Sequence, residues 1–517
     1  MSEQIEISFK NAARQSRPAL KRTTDSAMRI LILGDFGGMN NREVSDNNKS
    51  EAERLIMQVD IDNFAGVMSR IAPKLQLQLG NDTSPAVVSI IFSEMEDFHP
   101  DTLFHKLEIF QGLSQLRDRL GNPSTFAEAA EELRSSIQLS SATPAQEQTQ
   151  ASVNTTIEDD AATIDRLLGA RPHDRQETSR ISGETFASNY IRNIVAEYII
   201  PDAPPFKDIY IKAVDDAIGA KMRQLLHHPD FQALEAVWRS LYMLVTGLET
   251  GETLSLHLLD ITKEELFADL IVTGEGLQFS KLYRLLVEQY VDNWGGETWS
   301  VLVGNYTFGS SLEDLSLLAA LGILASHAGG PFLASADTRL LGCGSFADSP
   351  DAHDWVGMEQ QDAHRWQMFR HSPAATWIGL ALPRVLMRLP YGSDTEPLET
   401  FEFEEIPPTQ EQHQTLLWGN PAFYCTLLIA RSFGEQGWSM RLGDYLEIDE
   451  IPAYIIKQHG ESMLQPCAEV CLSDKAMEKI LNQGIMPFIS HRSRNIARLA
   501  RFQSVAEPLK ALAGPWG

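Results

Sequence analysis

The chain has 517 residues, enough for two to four domains with cores of their own. Apolar residues make up 43%, which excludes wholesale disorder, and a net charge of −27 excludes general binding to nucleic acid or anionic membrane. The four cysteines, Cys343, Cys425, Cys467 and Cys471, are too sparse for a disulfide framework and suit a reducing, cytoplasmic setting.

Residues 1–27 read as a polar arm without the apolar stretch of a secretory signal. RILILGDF, from Arg29 to Phe36, is a predicted strand, and Asp35 is placed to cap the glycine turn that follows. In IDNFAGVMSRIAP, Asp62 or Asn63 can cap a helix carrying Phe64, Val67, Met68 and Ile71 on one face. LQLQL alternates with period two, NDTSP supplies a turn and VVSIIF returns, which predicts a hairpin over Leu75–Phe92. Pro100 suits a first helical turn, and Leu103, Leu107, Phe110, Leu113, Leu116 and Leu120 then share a face ended by Gly121 and Pro123. Residues 28–135 thus form one compact α/β unit.

Over Ser135–Thr156 the composition shifts to Ser, Thr and Gln, the signature of a flexible connector, within a linker predicted over 136–185. Inside it lies one amphipathic segment, 157–168, with Thr156 as cap and Ile157, Ala161, Ile164, Leu167 and Leu168 on one face. Such a helix, bounded by linker, either docks on the rest of the chain or is recognised by a partner.

Residues 186–440 alternate helical and strand patterns, which predicts a layered α/β body. HHPDFQALEAVWRSLYMLVTG opens a helix at Pro229, with Phe231, Leu234, Trp238, Leu241 and Val245 on one face. LSLHLLDI and VLVGNYTF read as strands. The apolar run from Leu315 stops near Ala325, short of the roughly 20 residues a bilayer crossing needs, so it predicts a buried helix and no membrane insertion. Residues 441–517 form a C-terminal region with a basic tail, in which Ile496, Leu499 and Phe502 suggest a weak helical face.

The chemistry-bearing residues do not assemble into a catalytic pattern. GDFGG lacks the rest of any phosphate-binding or kinase signature, and Cys467 with Cys471 is a lone C-x₃-C. His227 and His228 are adjacent before Pro229, where capping suits them better than a shared metal. His353, Asp354 and His364, with Cys343, make the most enzyme-like grouping, within 343–371, but their spacing fits no mechanism. The expectation is therefore no catalysis, no metal and no cofactor.

Binding residues are better represented. Arg384 and Arg388 flank LPRVLMRLP with FEFEE close behind, which reads equally as an interface with a neighbour's carboxylates or as an internal salt bridge. Trp377, Tyr391 and Trp418 are of interface hot-spot type, though core is the expected home for at least two of them. Arg494 and Arg498 in the tail suit either an acidic surface or solvent.

Taken in order, these motifs resemble the two subunits of the type VI secretion contractile sheath. LILGDF, VDIDNFAGVMSRIAPKLQLQL and MEDFHPDTLFHKL are similar to the small subunit. DRLLGA, LLHHPDFQALEAVWRSLYMLV, VLVGNYTF, LALPRVLMRLPYG, LLWGN and PCAEVCLSD are similar to the large one. The resemblance covers most of the chain and implies the two subunits fused through the linker. Departures from the pattern are Gly304-Asn305-Tyr306 for Gly-Asp-Tyr, and the glycine pair of His327-Ala328-Gly329-Gly330-Pro331-Phe332. RHSPAATWIGL also lacks an acid that the pattern has before the proline-arginine motif.

The resemblance implies a non-enzymatic structural role, with sheath subunits or baseplate proteins as partners. It further implies that the helix bearing Ile164, Leu167 and Leu168 is recognised by a ring-shaped ATP-driven unfoldase. Because the large subunit would continue on the order of a hundred residues past Pro508, about a small domain, a sheath-like accessory at an end of the tube is preferred over a polymerising protomer.

Overall fold

The computed structural model describes residues 26–41, 55–79, 86–141, 191, 194, 195, 207–272, 276–291, 297–407, 413–458, 461–490 and 494–516. It is a mixed α/β fold. Strands β1 (Met28–Gly34), β2 (Met57–Val59), the hairpin β3 (Lys74–Leu79) with β4 (Ala86–Ile91), and helix α1 (Phe64–Ile71) open the chain. Helices α2 (Pro100–Lys106), α3 (Glu108–Gly121), α4 (Phe126–Ser141), α5 (Lys207–Leu226) and α6 (Pro229–Gly247) follow. Strands β5 (Leu254–Asp260), β6 (Val301–Phe308), β7 (Phe332–Ala336) and β8 (Ile378–Leu382) come next, with α7 (Leu312–Ala328) between β6 and β7 and α8 (Gln360–Arg370) before β8. The rest comprises β9 (Val385–Leu386), β10 (Trp418–Gly419), α9 (Pro421–Gln436), β11 (Glu447–Ile448), β12 (Tyr454–Gln458), β13 (Glu461–Gln465), α10 (Asp474–Asn482), β14 (Met486–Ser490) and β15 (Ala497–Leu499).

Nine strands make one sheet in the order β11-β15-β14-β8-β7-β6-β1-β5-β2. Its centre is parallel and its edges antiparallel. β1 lies between two strands of the body, with Ile30 opposite Leu256 of β5 and Val301 of β6. β2 pairs antiparallel with β5 through Gln58 and His257, so the first sixty residues supply two strands of a sheet that the body otherwise builds.

The alternation of MRILILG explains why β1 sits at the centre. Met28, Ile30 and Ile32 face one apolar layer, with α3, α5, α6 and α9. Leu31 and Leu33 face the other, with α7 and the helical segment Lys281–Glu288. A strand buried on both faces must read as a continuous aliphatic run, and this one does.

Two elements differ from the sequence expectation. The single helix expected over Leu103–Leu120 breaks at Leu107, whose extended backbone (φ −89°, ψ 129°) ends α2 and begins α3. The weak helical face expected around Ile496 is instead strand β15, antiparallel to β14 and β11. There Ala497 and Leu499 are buried while Arg498 is exposed, a period of two that a short basic stretch disguises.

The glycine pair after α7 has a backbone reason. Gly329 adopts φ +102° as the C-cap and donates its N–H to the carbonyl of Ala325. A Cβ on Gly330 would lie 2.3 Å from the Ser300 carbonyl, which the tight run into β7 does not permit.

Candidate interaction site

A buried polar cluster is centred on Arg388. Its Nε donates to Glu235 of α6 at 2.8 Å, and its Nη1 donates to Glu405 of FEFEE at 2.7 Å. Further bonds reach Glu405 from Nη2 at 3.0 Å and the Leu389 carbonyl from Nη1 at 3.1 Å. The guanidinium lies 4.4 Å from the centre of the Tyr391 ring. Arg239 adds a second cation, donating to Glu235 at 2.7 Å and to the Tyr391 hydroxyl at 3.3 Å. His227 Nε2 stands 3.6 Å from Glu405.

Arg388 is 6% exposed and the two carboxylates 0% and 1%. Burial pulls the Glu405 carboxyl upward, but the charge of Arg388, the nearby His227 ring, and hydrogen bonds from Arg388 and the Tyr391 N–H hold it at about 2. Burial likewise opposes the charge on Arg388, and the facing Glu235 and Glu405 more than offset it, keeping the guanidinium firmly protonated. Burial raises the Tyr391 phenol, with Arg388 opposing. The cluster joins α6, the segment after β9 and the acidic loop.

A second pair lies at the surface beside it. Arg384 makes a fork to Glu469, at 3.1 Å from Nε and 2.6 Å from Nη2, and His413 Nε2 lies 3.1 Å from the same carboxylate. Glu469 is held at about 2, because the close His413 ring and the hydrogen bonds and charge of Arg384 outweigh its burial. Arg384 remains 47% exposed, so this clamp has a face that a neighbour can reach.

The N-terminal unit closes on the same region. Asp101, at the start of α2, accepts from the backbone N–H of Glu399 at 3.0 Å and of Thr400 at 3.2 Å, and from the Thr400 hydroxyl. Phe104 packs on Phe401 with ring centres 5.0 Å apart, and His99 meets Tyr391 edge-on at 5.1 Å.

Trp377, Tyr391 and Trp418 are all buried, at 3%, 1% and 8% exposure. Arg494 is exposed, and Arg498 lies 4.0 Å from Glu447 on β11. Ile164, Leu167 and Leu168, and the helix expected over 157–168, lie outside the described residues. His353, Asp354 and His364 are exposed, and His353 faces Lys475 Nζ at 3.3 Å. Among the described residues no group of three or more His, Cys, Asp or Glu is placed to hold a metal ion. Sequence reasoning passed over Glu235, Glu469 and Asp101. Glu235 had a signal: it falls four residues after Phe231 and three before Trp238, on the apolar face of its helix.

Residues 208–506 match the family model VipB (EvpB), described as a tail sheath N-terminal domain. The chain belongs to the type VI tail-sheath family. Residues 2–153 match a second model, that of the VipA proteins of the type VI secretion system, so this sheath protein carries counterparts of both subunits in one polypeptide. It is also 30% identical over 342 residues to the type VI secretion system sheath protein TssC1 of Pseudomonas aeruginosa PAO1. That match covers 65% of this chain, and the chain spans 65% of the length of that relative. Among the described residues of this sheath-family chain, no helix is long and apolar enough to cross a membrane.

Proposed function

We propose that the chain is a sheath protomer in which the small-subunit-like and large-subunit-like parts are permanently paired, acting by assembly and without catalysis. The observation that carries this reading is the position of β1. It pairs along its whole length with β5 and over Ile30–Leu33 with β6, so the VipA-like part completes the sheet of the VipB-like part. A strand inserted between two others is held by backbone hydrogen bonds on both edges. Asp101, Phe104 and His99 add side-chain contacts to the acidic loop of the body. Its partners in this reading are further sheath subunits, in the cytoplasm, with baseplate proteins at the tube end and an unfoldase acting on residues 157–168.

Electron microscopy of the pure protein tests this. A protomer that propagates gives tubes or stacked rings on concentration. Single particles at every concentration, which on addition to sheaths made by other subunits decorate only their ends, would instead establish the accessory role.

A further inference from the structure

A groove of about 1090 Å³ opens at the end of the sheet where β1 and β5 begin. Its floor is apolar, with Leu248, Leu254, Leu428 and Phe433. Its rim is acidic: Glu249, Glu435, Glu447 and Asp449 face it, against one basic residue, Arg431, among the described lining residues. Two of these acids are already engaged, Glu435 by the Tyr445 hydroxyl and Glu447 by Arg498 at 4.0 Å. Glu249 and Asp449 are exposed and have no ion pair or side-chain hydrogen bond among the described residues. The volume is just above the roughly 300–1,000 Å³ that accommodates small molecules, so it suits a peptide segment better than an ion.

The chain itself enters this groove. Ser26 is one of its lining residues, and the Ser26 carbonyl accepts from the indole Nε1 of Trp438. Two residues on, the Met28 N–H donates to Thr253 at 2.7 Å. The preceding stretch of sequence, Lys10 to Arg22, carries Lys10, Arg14, Arg17, Lys21 and Arg22 and no acid, in a protein of net charge −27. Ala12, Ala13, Ala19 and Leu20 give the same stretch an apolar component that suits the floor. Arg22 is four residues from Ser26, within about 14 Å of extended chain.

We propose that this groove is the docking site for the chain's own basic segment, residues 10–22, held in cis by Glu249, Asp449 and the neighbouring acids. Charge complementarity selects the segment and covalent continuity with Ser26 supplies its local concentration. Other basic peptides then compete with the segment for the groove. This goes beyond the protomer reading and does not depend on whether the chain forms tubes.

The test uses the full chain and a fluorescent synthetic peptide of residues 8–24. In one variant, Lys10→Gln, Arg14→Gln, Arg17→Gln, Lys21→Gln and Arg22→Gln remove the competing charge while leaving the groove intact. That variant is expected to bind the peptide at least tenfold more tightly than the unmodified chain, and less tightly as salt is raised. Adding Glu249→Lys and Asp449→Lys, both at exposed positions, should reduce binding at least tenfold. Equal binding to the variant and the unmodified chain, or indifference to the two reversals, overturns the proposal. Tryptic cleavage after Arg14 and Arg22 provides a second readout: it should be slow in the unmodified chain and several-fold faster in the Glu249→Lys, Asp449→Lys chain. Protection that does not vary with protein concentration supports docking in cis. Protection that grows with concentration assigns the segment to a second copy and overturns it.

Discussion

The Nε of Arg388 and the Oε1 of Glu235 lie 2.8 Å apart although 153 residues separate them in the chain. Both are enclosed, and each has a second charged partner, Glu405 for the arginine and Arg239 for the acid. A buried pair of this kind is worth little over an apolar replacement, but losing one member leaves a charge without compensation. Arg388→Ala should therefore destabilise the fold by about 3–5 kcal/mol, read as a shift of the urea midpoint. The triple change Arg388→Met, Glu235→Gln, Glu405→Gln should recover a large part of that loss. A single-variant loss under about 1 kcal/mol would show the cluster to be solvated in solution.

Acid should loosen the same region. Glu405 and Glu469 are both held near 2, below the ordinary carboxylate value of 4.5. A depressed folded pKa means stability that is fully present above about pH 4.5 and lost as pH falls towards 2. Each carboxylate contributes on the order of 3 kcal/mol at neutral pH by this linkage. Chemical denaturation at pH 6, 4 and 3 should show stability dropping across the last two steps. Glu405→Gln should flatten the dependence, and an unchanged slope in that variant would remove Glu405 from the account.

Asp101 ties the N-terminal unit to the acidic loop by accepting from Glu399, Thr400 and the Thr400 hydroxyl. Asp101→Ala should cost about 1–2 kcal/mol and raise amide exchange across residues 399–405 more than across β1. Uniform exchange in both segments would contradict a local role.

The glycine pair offers a backbone test. Gly330→Ala forces a Cβ into the Ser300 carbonyl and should lower stability by about 1–3 kcal/mol. An Ala at position 251, where nothing lies within 4 Å, serves as the control and should be close to neutral. Thermal melts of the two variants distinguish the outcomes.

Much of this architecture is legible in the sequence wherever one physical period dominates. The continuous run of β1, the alternation of Leu75–Leu79 and the capped apolar run of α7 each have a single reading. The segment around Ala497 does not, because three residues of strand carry too little periodicity beside four arginines. The arginine clusters were half legible. FEFEE signals a buried acid near Arg388, but the other partner comes from a helix 153 residues earlier, and no local pattern encodes that pairing. Glu469 is hidden similarly, since PCAEVCLSD meets Arg384 only through tertiary packing.

The placement of β1 between β5 and β6 also bears on supply. If the two subunit-like parts were made as separate molecules, each VipB-like part would wait with β5 bare on both edges and β6 bare on one, a state prone to clumping. Making both parts as one polypeptide fixes their ratio at one to one and lets the missing strand arrive from the same ribosome. A shortage of either part cannot then arise.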